Sequence, residues 1–246
     1  KFRDLQNSIM NLKPNFIINT IGLANVEKSQ KNKNLARDIN IKTAVNLAKI
    51  SKKLKKKFIH ISTDHLYGFN KSKNLERSPV TLVNNYAKTK FIADQKVLSI
   101  YSKSLILRTN FFGLSRKNNS FAEKILHSLK NKKKINLFSD VFFTPIYTED
   151  LSKYILILVK GNFHGIYNIS TDQRISKFDF GIKLAETFGL NKRLIVNSSI
   201  TRKKSLFKRP TNMALSNKKL KKKLHLKTIS INSSINNFYR CYKQKK

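Results

Sequence analysis

Short apolar runs alternate with longer segments in which apolar residues recur at three- and four-residue spacing. The runs at 15–19, 58–62, 105–109, 135–138 and 165–169 have the length and the Ile, Leu and Phe content of buried strands. Between them, helices are predicted at 35–49, 86–100 and 120–130, the first with Leu35, Ile39, Val45 and Ala48 near one stripe. Thr148 is placed to cap a further helix that stops before Gly161, and Ser176 with Asp179 reads as a capping pair for one that ends at Gly189. Residues 154–159, between Lys153 and Lys160, read as a buried helix segment, far short of the ~20 apolar residues that cross a bilayer. Strand and helix alternate throughout, which predicts an α/β, Rossmann-like, doubly wound parallel sheet covered on both faces. Beyond about residue 191 the pattern is less regular, with a lysine-rich stretch at 218–223 and a last amphipathic piece at 235–239. A small substrate-binding region is therefore expected to assemble from the later segments, with no sharp linker and no internal repeat.

Length adds that 246 residues suffice for one large α/β domain or a domain with an annex. Charge is unusual: 51 basic against 13 acidic residues give +38. Clusters such as Lys55-Lys56-Lys57 and Lys132-Lys133-Lys134 would attract polyanions. The lysines are scattered along the whole chain, however, without the aromatic-plus-arginine platform of base recognition, so no specific nucleic-acid partner is expected. The single cysteine, Cys241, cannot form an internal disulfide and fits a reducing cytoplasm. Neither His127 nor His164 has metal-ligand company, and no catalytic metal is expected.

The chemistry lies in Ser62-Thr63-Asp64-His65-Leu66-Tyr67-Gly68, at the end of a predicted strand, and Tyr86-Ala87-Lys88-Thr89-Lys90, opening a predicted helix. Tyr86 and Lys90 fall one turn apart on one helix face, so an ammonium beneath the phenol would favour phenolate and bring proton exchange toward neutrality. The Thr63 hydroxyl, at the carboxyl end of a strand where open α/β sheets bind ligands, could donate to the same substrate oxygen that Tyr86 protonates. By itself a Tyr-x-x-x-Lys pair in a lysine-rich chain is a weak signal; the order, spacing and element types around it give it weight. Together these residues point to carbonyl reduction.

These residues resemble the extended short-chain dehydrogenase/reductase superfamily, and within it most closely the dTDP-4-dehydrorhamnose reductases. The likeness extends to the segments at 13–19, 40–48, 107–112, 118–121, 144–151, 165–170 and 208–216, the last reading K-R-P-T-N-M-A-L-S. The resemblance implies reduction of the 4-keto group of a nucleotide-linked 6-deoxy sugar with NADPH or NADH. It assigns Tyr86 as proton donor, Lys90 as its activator and a ligand of the cofactor ribose, and Thr63 as the group orienting the carbonyl. Gly22, Leu23, Ala24, Asn40 and Ser62 would also line the cofactor, although Thr20-Ile21-Gly22-Leu23-Ala24 departs from the family's alanine- and threonine-rich loop. Asp64, Phe111, Asn119 and Arg209 would contact the nucleotide-sugar substrate. Related dehydratases carry an acidic residue directly after the Thr-Asp pair; this chain has His65 there, read as a packing residue, which favours a plain reductase.

The resemblance also divides the chain into a partial NAD(P)-binding domain at 1–160 and a mainly sugar-nucleotide-binding region at 161–246, intertwined with it. The seven glycines form no Gly-rich phosphate-binding turn, and the expected opening strands lack a counterpart, so the sequence is expected to be N-terminally incomplete, with a sheet edge left unpaired. Three alternatives stay open: another nucleotide-sugar epimerase or reductase, a non-catalytic cofactor-binding subunit like that of methionine adenosyltransferase, and a polyanion-binding protein. A homodimer is compatible with the resemblance.

Overall fold

The computed structural model describes residues 2–69, 72–201, 208–227 and 229–244. In chain order come α1 (Phe2–Leu12), β1 (Phe16–Asn19), α2 (Val26–Lys31), α3 (Lys33–Arg37), α4 (Thr43–Lys53), β2 (Lys57–Ile61), α5 (Asn85–Ile100) and β3 (Leu105–Thr109). The second half holds β4 (Phe111–Phe112), α6 (Phe121–Lys130), β5 (Ile135–Phe138), β6 (Phe142–Phe143), β7 (Ile146–Tyr147), α7 (Thr148–Lys160), β8 (Gly165–Ile169) and β9 (Ile175–Ser176). There follow α8 (Lys177–Thr187), β10 (Ile195–Ser198), α9 (Lys218–Leu224) and α10 (Ile231–Gln244).

The main sheet runs β1-β2-β3-β8, all parallel, with Ile59 opposite Leu105 and Leu107 opposite Tyr167. Its strands are continuous apolar runs because both faces are covered. Phe58 and Ile106 point toward α4 and α5, where they pack with Ala44, Leu47, Ala93 and Val97. Ile59, Leu105 and Leu107 point the other way, onto Leu151, Tyr154 and Leu158 of α7 and Leu220 of α9. The doubly wound arrangement predicted from the apolar runs is therefore present, with β1 at one edge.

A second core gathers α6, β5, α8, β10 and α10 around Phe112, Phe180 and Phe238. Ile135–Phe138, expected in the main sheet, pairs in parallel with Ile195–Ser198 in a separate two-stranded sheet. The two cores thus draw on segments from both sides of residue 160. Ser234 ties α10 in place: its hydroxyl donates to Asp150 at 2.7 Å and accepts from the Tyr147 N–H at 2.9 Å.

Other departures have local causes. The helix expected at 35–49 is interrupted at Asp38–Lys42 by a π-helical turn, and its buried face is Ala36, Asn40, Ala44, Leu47 and Ala48 rather than the stripe containing Leu35, which stands exposed. The run at 154–159 buries Tyr154 and Leu158 but leaves Leu156 and Ile157 exposed, because α7 lies on the sheet by one face. Thr148 does not cap α7; its hydroxyl donates to the Phe112 carbonyl at 2.7 Å. Ser176 does cap α8, accepting from the Asp179 N–H, and Gly189 leaves that helix at φ +63°. No helix among the described residues is long and apolar enough to cross a membrane.

Phe238 is fully buried, its ring 5.6 Å from those of both Phe112 and Tyr147. Phe238→Ala is expected to lower unfolding stability by about 3–5 kcal/mol, measured by chemical denaturation.

Candidate active site

Strand β2 ends at the carboxyl edge of the sheet and delivers Ser62, Thr63 and Asp64 beneath the start of α5, which Asn84 caps by accepting from the Ala87 N–H at 2.9 Å. Beneath them lies a buried ionic pair: Arg108 Nε donates to Asp94 Oδ2 at 3.3 Å, and Ser62 Oγ to the same oxygen at 3.0 Å. Arg108 reaches on to the Tyr67 hydroxyl at 2.7 Å and the Glu76 carbonyl at 3.0 Å. A strand, a helix and the loop residues Tyr67 and Glu76 therefore converge on two charges withdrawn from water.

Above this pair the Thr63 hydroxyl lies against the Tyr86 phenol and accepts from the His65 N–H at 3.2 Å. Burial pushes the phenol up to about 12; Thr63 counters that push, while the Asp64 and Asp94 carboxylates add to it. Here the structure corrects the sequence reading. The Lys90 ammonium is not beneath the phenol but is directed to the sheet, 2.7 Å from the Ile61 carbonyl it donates to and 3.1 Å from His60 Nε2. Burial lowers Lys90 to about 8, against the pull of Asp94. Tyr86 is accordingly an un-ionised acid near neutrality rather than a ready phenolate.

Asp64 faces the opposite side. Asn110 Nδ2 donates to it at 2.7 Å, and burial raises its pKa to about 6 against the opposing pull of Lys177 and these hydrogen bonds. Next to it the His65 ring sits edge-on to Tyr86, centroids 5.4 Å apart. Burial, with Lys177 and Arg209 adding to it, lowers His65 to about 3, so the ring is neutral and packs, as expected. His65, Lys177 and Arg209 line a cavity of about 270 Å³ together with Phe121, Phe138 and Met213. Arg209 arrives there because the segment after it is stitched to the core: the Thr211 and Asn212 N–H groups donate to the Gly68 carbonyl, and Met213 N–H to Phe142.

A family model described as the RmlD substrate binding domain matches residues 1–243. The chain belongs to this family. Among curated RmlD relatives, the dTDP-4-dehydrorhamnose reductase of Aggregatibacter actinomycetemcomitans is 26% identical over 87% of this chain and 76% of its own length. The crystal structure of dTDP-4-dehydrorhamnose reductase from Bacillus anthracis in complex with NADP superposes with a TM-score of 0.90 at 23% identity, covering all of this chain and 86% of that one. The orthologue from Clostridium acetobutylicum gives 0.92 at 22% identity, over 99% of this chain and 86% of that one. The RmlD fold, with its parallel Rossmann-like sheet, is the one described above.

Within this RmlD site the sequence-predicted residues fall unevenly. Thr63, Asp64, Tyr86 and Ser62 come together at the end of β2, with Lys90 one turn below. At the end of β1, buried Asn40 accepts from the Leu23 N–H at 2.7 Å and donates to Thr89 at 2.9 Å. Asn40 thus tethers the Gly22-Leu23-Ala24 loop, and a Cβ on Gly22 would lie 3.5 Å from its side-chain oxygen. Phe111 is exposed beside Asn110, and Arg209 lines the cavity with its guanidinium 3.0 Å from Glu27. Asn119 departs from expectation: it is exposed on the loop before α6, its N–H on Ser115, and does not line the cavity. Sequence reasoning missed Asn110 and Lys177; only the Ser176–Asp179 capping pair hinted that Lys177 opens a helix.

Asp64 titrates higher in the folded chain than its ordinary 3.8, so its contribution to stability is fully present below about pH 4 and is lost as pH rises through about 6. Asp64→Asn is therefore expected to raise unfolding stability by about 1–3 kcal/mol at pH 7.5, with the gain vanishing by pH 4 in parallel denaturation curves.

Proposed function

We propose that the protein reduces the 4-keto group of a nucleotide-linked 6-deoxy sugar, dTDP-4-dehydrorhamnose, with NADPH or NADH, and so supplies dTDP-rhamnose for polysaccharide synthesis in the cytoplasm. The observation that carries this reading is the convergence of Thr63 and the Tyr86 phenol at the carboxyl end of β2, beside a cavity lined by cations. Family membership and the curated reductase relative support it.

When bound, the reduced nicotinamide cofactor would supply a hydride to C4 of the sugar; the remaining steps belong to the protein. An alkoxide is more basic than a phenolate, so the un-ionised Tyr86 gives its proton to the developing alkoxide oxygen as a general acid. Thr63 donates a hydrogen bond to the same oxygen and lowers the cost of its charge. Lys90, at the same sheet edge as the loop that Asn40 tethers, would hold the cofactor ribose, while its contacts to Ile61 and His60 keep its ammonium out of the proton transfer at Tyr86. The Leu23 N–H already paired to Asn40 and the bare Gly22 backbone suit the close approach of a cofactor.

Incubated with the nucleotide 4-keto sugar, the full-length protein is expected to consume reduced cofactor and yield the corresponding 4-hydroxy sugar, followed by absorbance and product chromatography. Tyr86→Phe should lower turnover roughly 10²-fold or more with the fold intact. Cofactor that binds but is never consumed contradicts the reductase reading, and undiminished turnover in Tyr86→Phe removes the phenol from it.

A further inference from the structure

Lys177 is the first residue of α8, where the positive end of the helix dipole disfavours a cation. Its ammonium lies 3.6 Å above the Phe143 ring centroid and 4.5 Å from that of Phe121, and among the described residues it has no hydrogen-bond acceptor and no ion pair within reach. The aromatic faces offset part of its desolvation but take none of its three N–H donors. Its own backbone N–H is already given to the Val141 carbonyl. Burial lowers Lys177 to about 8 even though Asp64 opposes the shift, which leaves the group charged near neutrality.

The groups around it define what it can bind. Asp64 is the acidic neighbour, but its oxygens are engaged by Asn110 and Thr63 rather than by the ammonium. His65 is neutral, and Arg209, whose charge is partly compensated by Glu27 at 3.0 Å, is the second cation in the lining. Two cations, a helix N-terminus and a cavity of about 270 Å³ otherwise walled by Phe121, Leu137, Val141, Ile200 and Met213 suit a ligand with an anionic part and a flat apolar part. His65 bridges the two halves of the site, touching Tyr86 with its ring while lining this cavity.

We infer that Lys177 binds the diphosphate of the nucleotide-linked substrate, anchoring it so that the sugar carbonyl reaches Thr63 and Tyr86. The inference rests on the proposed reductase reading for the identity of the sugar, but the anion-binding role is separable from it. Lys177 is a substrate-binding cation, not a participant in proton transfer, so its removal acts on affinity and leaves the chemical step in place.

The test is calorimetric titration of the full-length protein with dTDP, and with thymidine as the phosphate-free control, for wild type, Lys177→Met and Lys177→Arg. Methionine keeps the apolar stem over Phe143 and Phe121, so the variant is expected to fold, checked by circular dichroism. The expected result is dTDP affinity lowered roughly 10- to 100-fold in Lys177→Met and largely retained in Lys177→Arg, with thymidine binding equal in all three. Where turnover is measurable, KM for the nucleotide sugar should rise by a similar factor and kcat and cofactor affinity should hold. Unchanged dTDP affinity in folded Lys177→Met, or no dTDP binding by wild type, overturns the inference. Lys177-dependent dTDP binding without any keto-sugar turnover upholds it and counts against the reductase reading alone.

Discussion

The buried contact between Asp94 and Arg108 is the constraint on which the site depends. Taking both charges out of water costs several kcal/mol, and their attraction compensates only if the remaining lone pairs and N–H groups find partners. Ser62 satisfies Asp94 Oδ2, and Tyr67 and the Glu76 carbonyl satisfy Arg108, while Asp94 Oδ1 has only His60, 3.9 Å away. These contacts tie the end of β2, α5 at Asp94, β3 at Arg108 and the loop residues Tyr67 and Glu76 to one another. Thr63 and Tyr86 meet because the strand and helix that carry them are held from below.

The same edge of the sheet collects the other parts. Parallel sheets bind ligands outside the carboxyl ends of their strands, and here β1 leads to the Asn40-tethered loop, β2 to Thr63 and β3 to Asn110. A second core built on Phe112, Phe180 and Phe238 brings α8 over that edge, and the segment at 208–217, bonded to Gly68 and Phe142, closes the far wall. The acid, the loop beside it and the cationic cavity are thus positioned by three different packing units. His65, neutral and wedged between Tyr86 and the cavity, is the side chain they share.

What the sequence disclosed follows from how local each feature is. The strands at 58–62 and 105–109 and the helix opening at Tyr86 were legible because their apolar content and caps lie within a few residues of each other. The Thr63–Tyr86 encounter was legible from strand-then-helix order. Partners set by distant segments were not. The spacing of Tyr86 and Lys90 is that of one helix face, yet His60 and the Ile61 carbonyl on the strand below capture the ammonium, leaving the phenol a weak acid. Ile135–Phe138 has the composition of a sheet strand, but its neighbour Ile195–Ser198 lies in the irregular tail. Lys177 looked like one lysine among many, since only α8 docking on the second core brings it to Asp64 and His65.

The central claim is that hydride is delivered to a carbonyl carbon held at Thr63 and Tyr86. Its most direct test is transfer of deuterium from C4-deuterated reduced cofactor, followed by NMR of the product. The account predicts deuterium on C4 of the sugar, appearing in step with oxidised cofactor. Product that changes configuration without acquiring the label, or label found at another carbon, would contradict it.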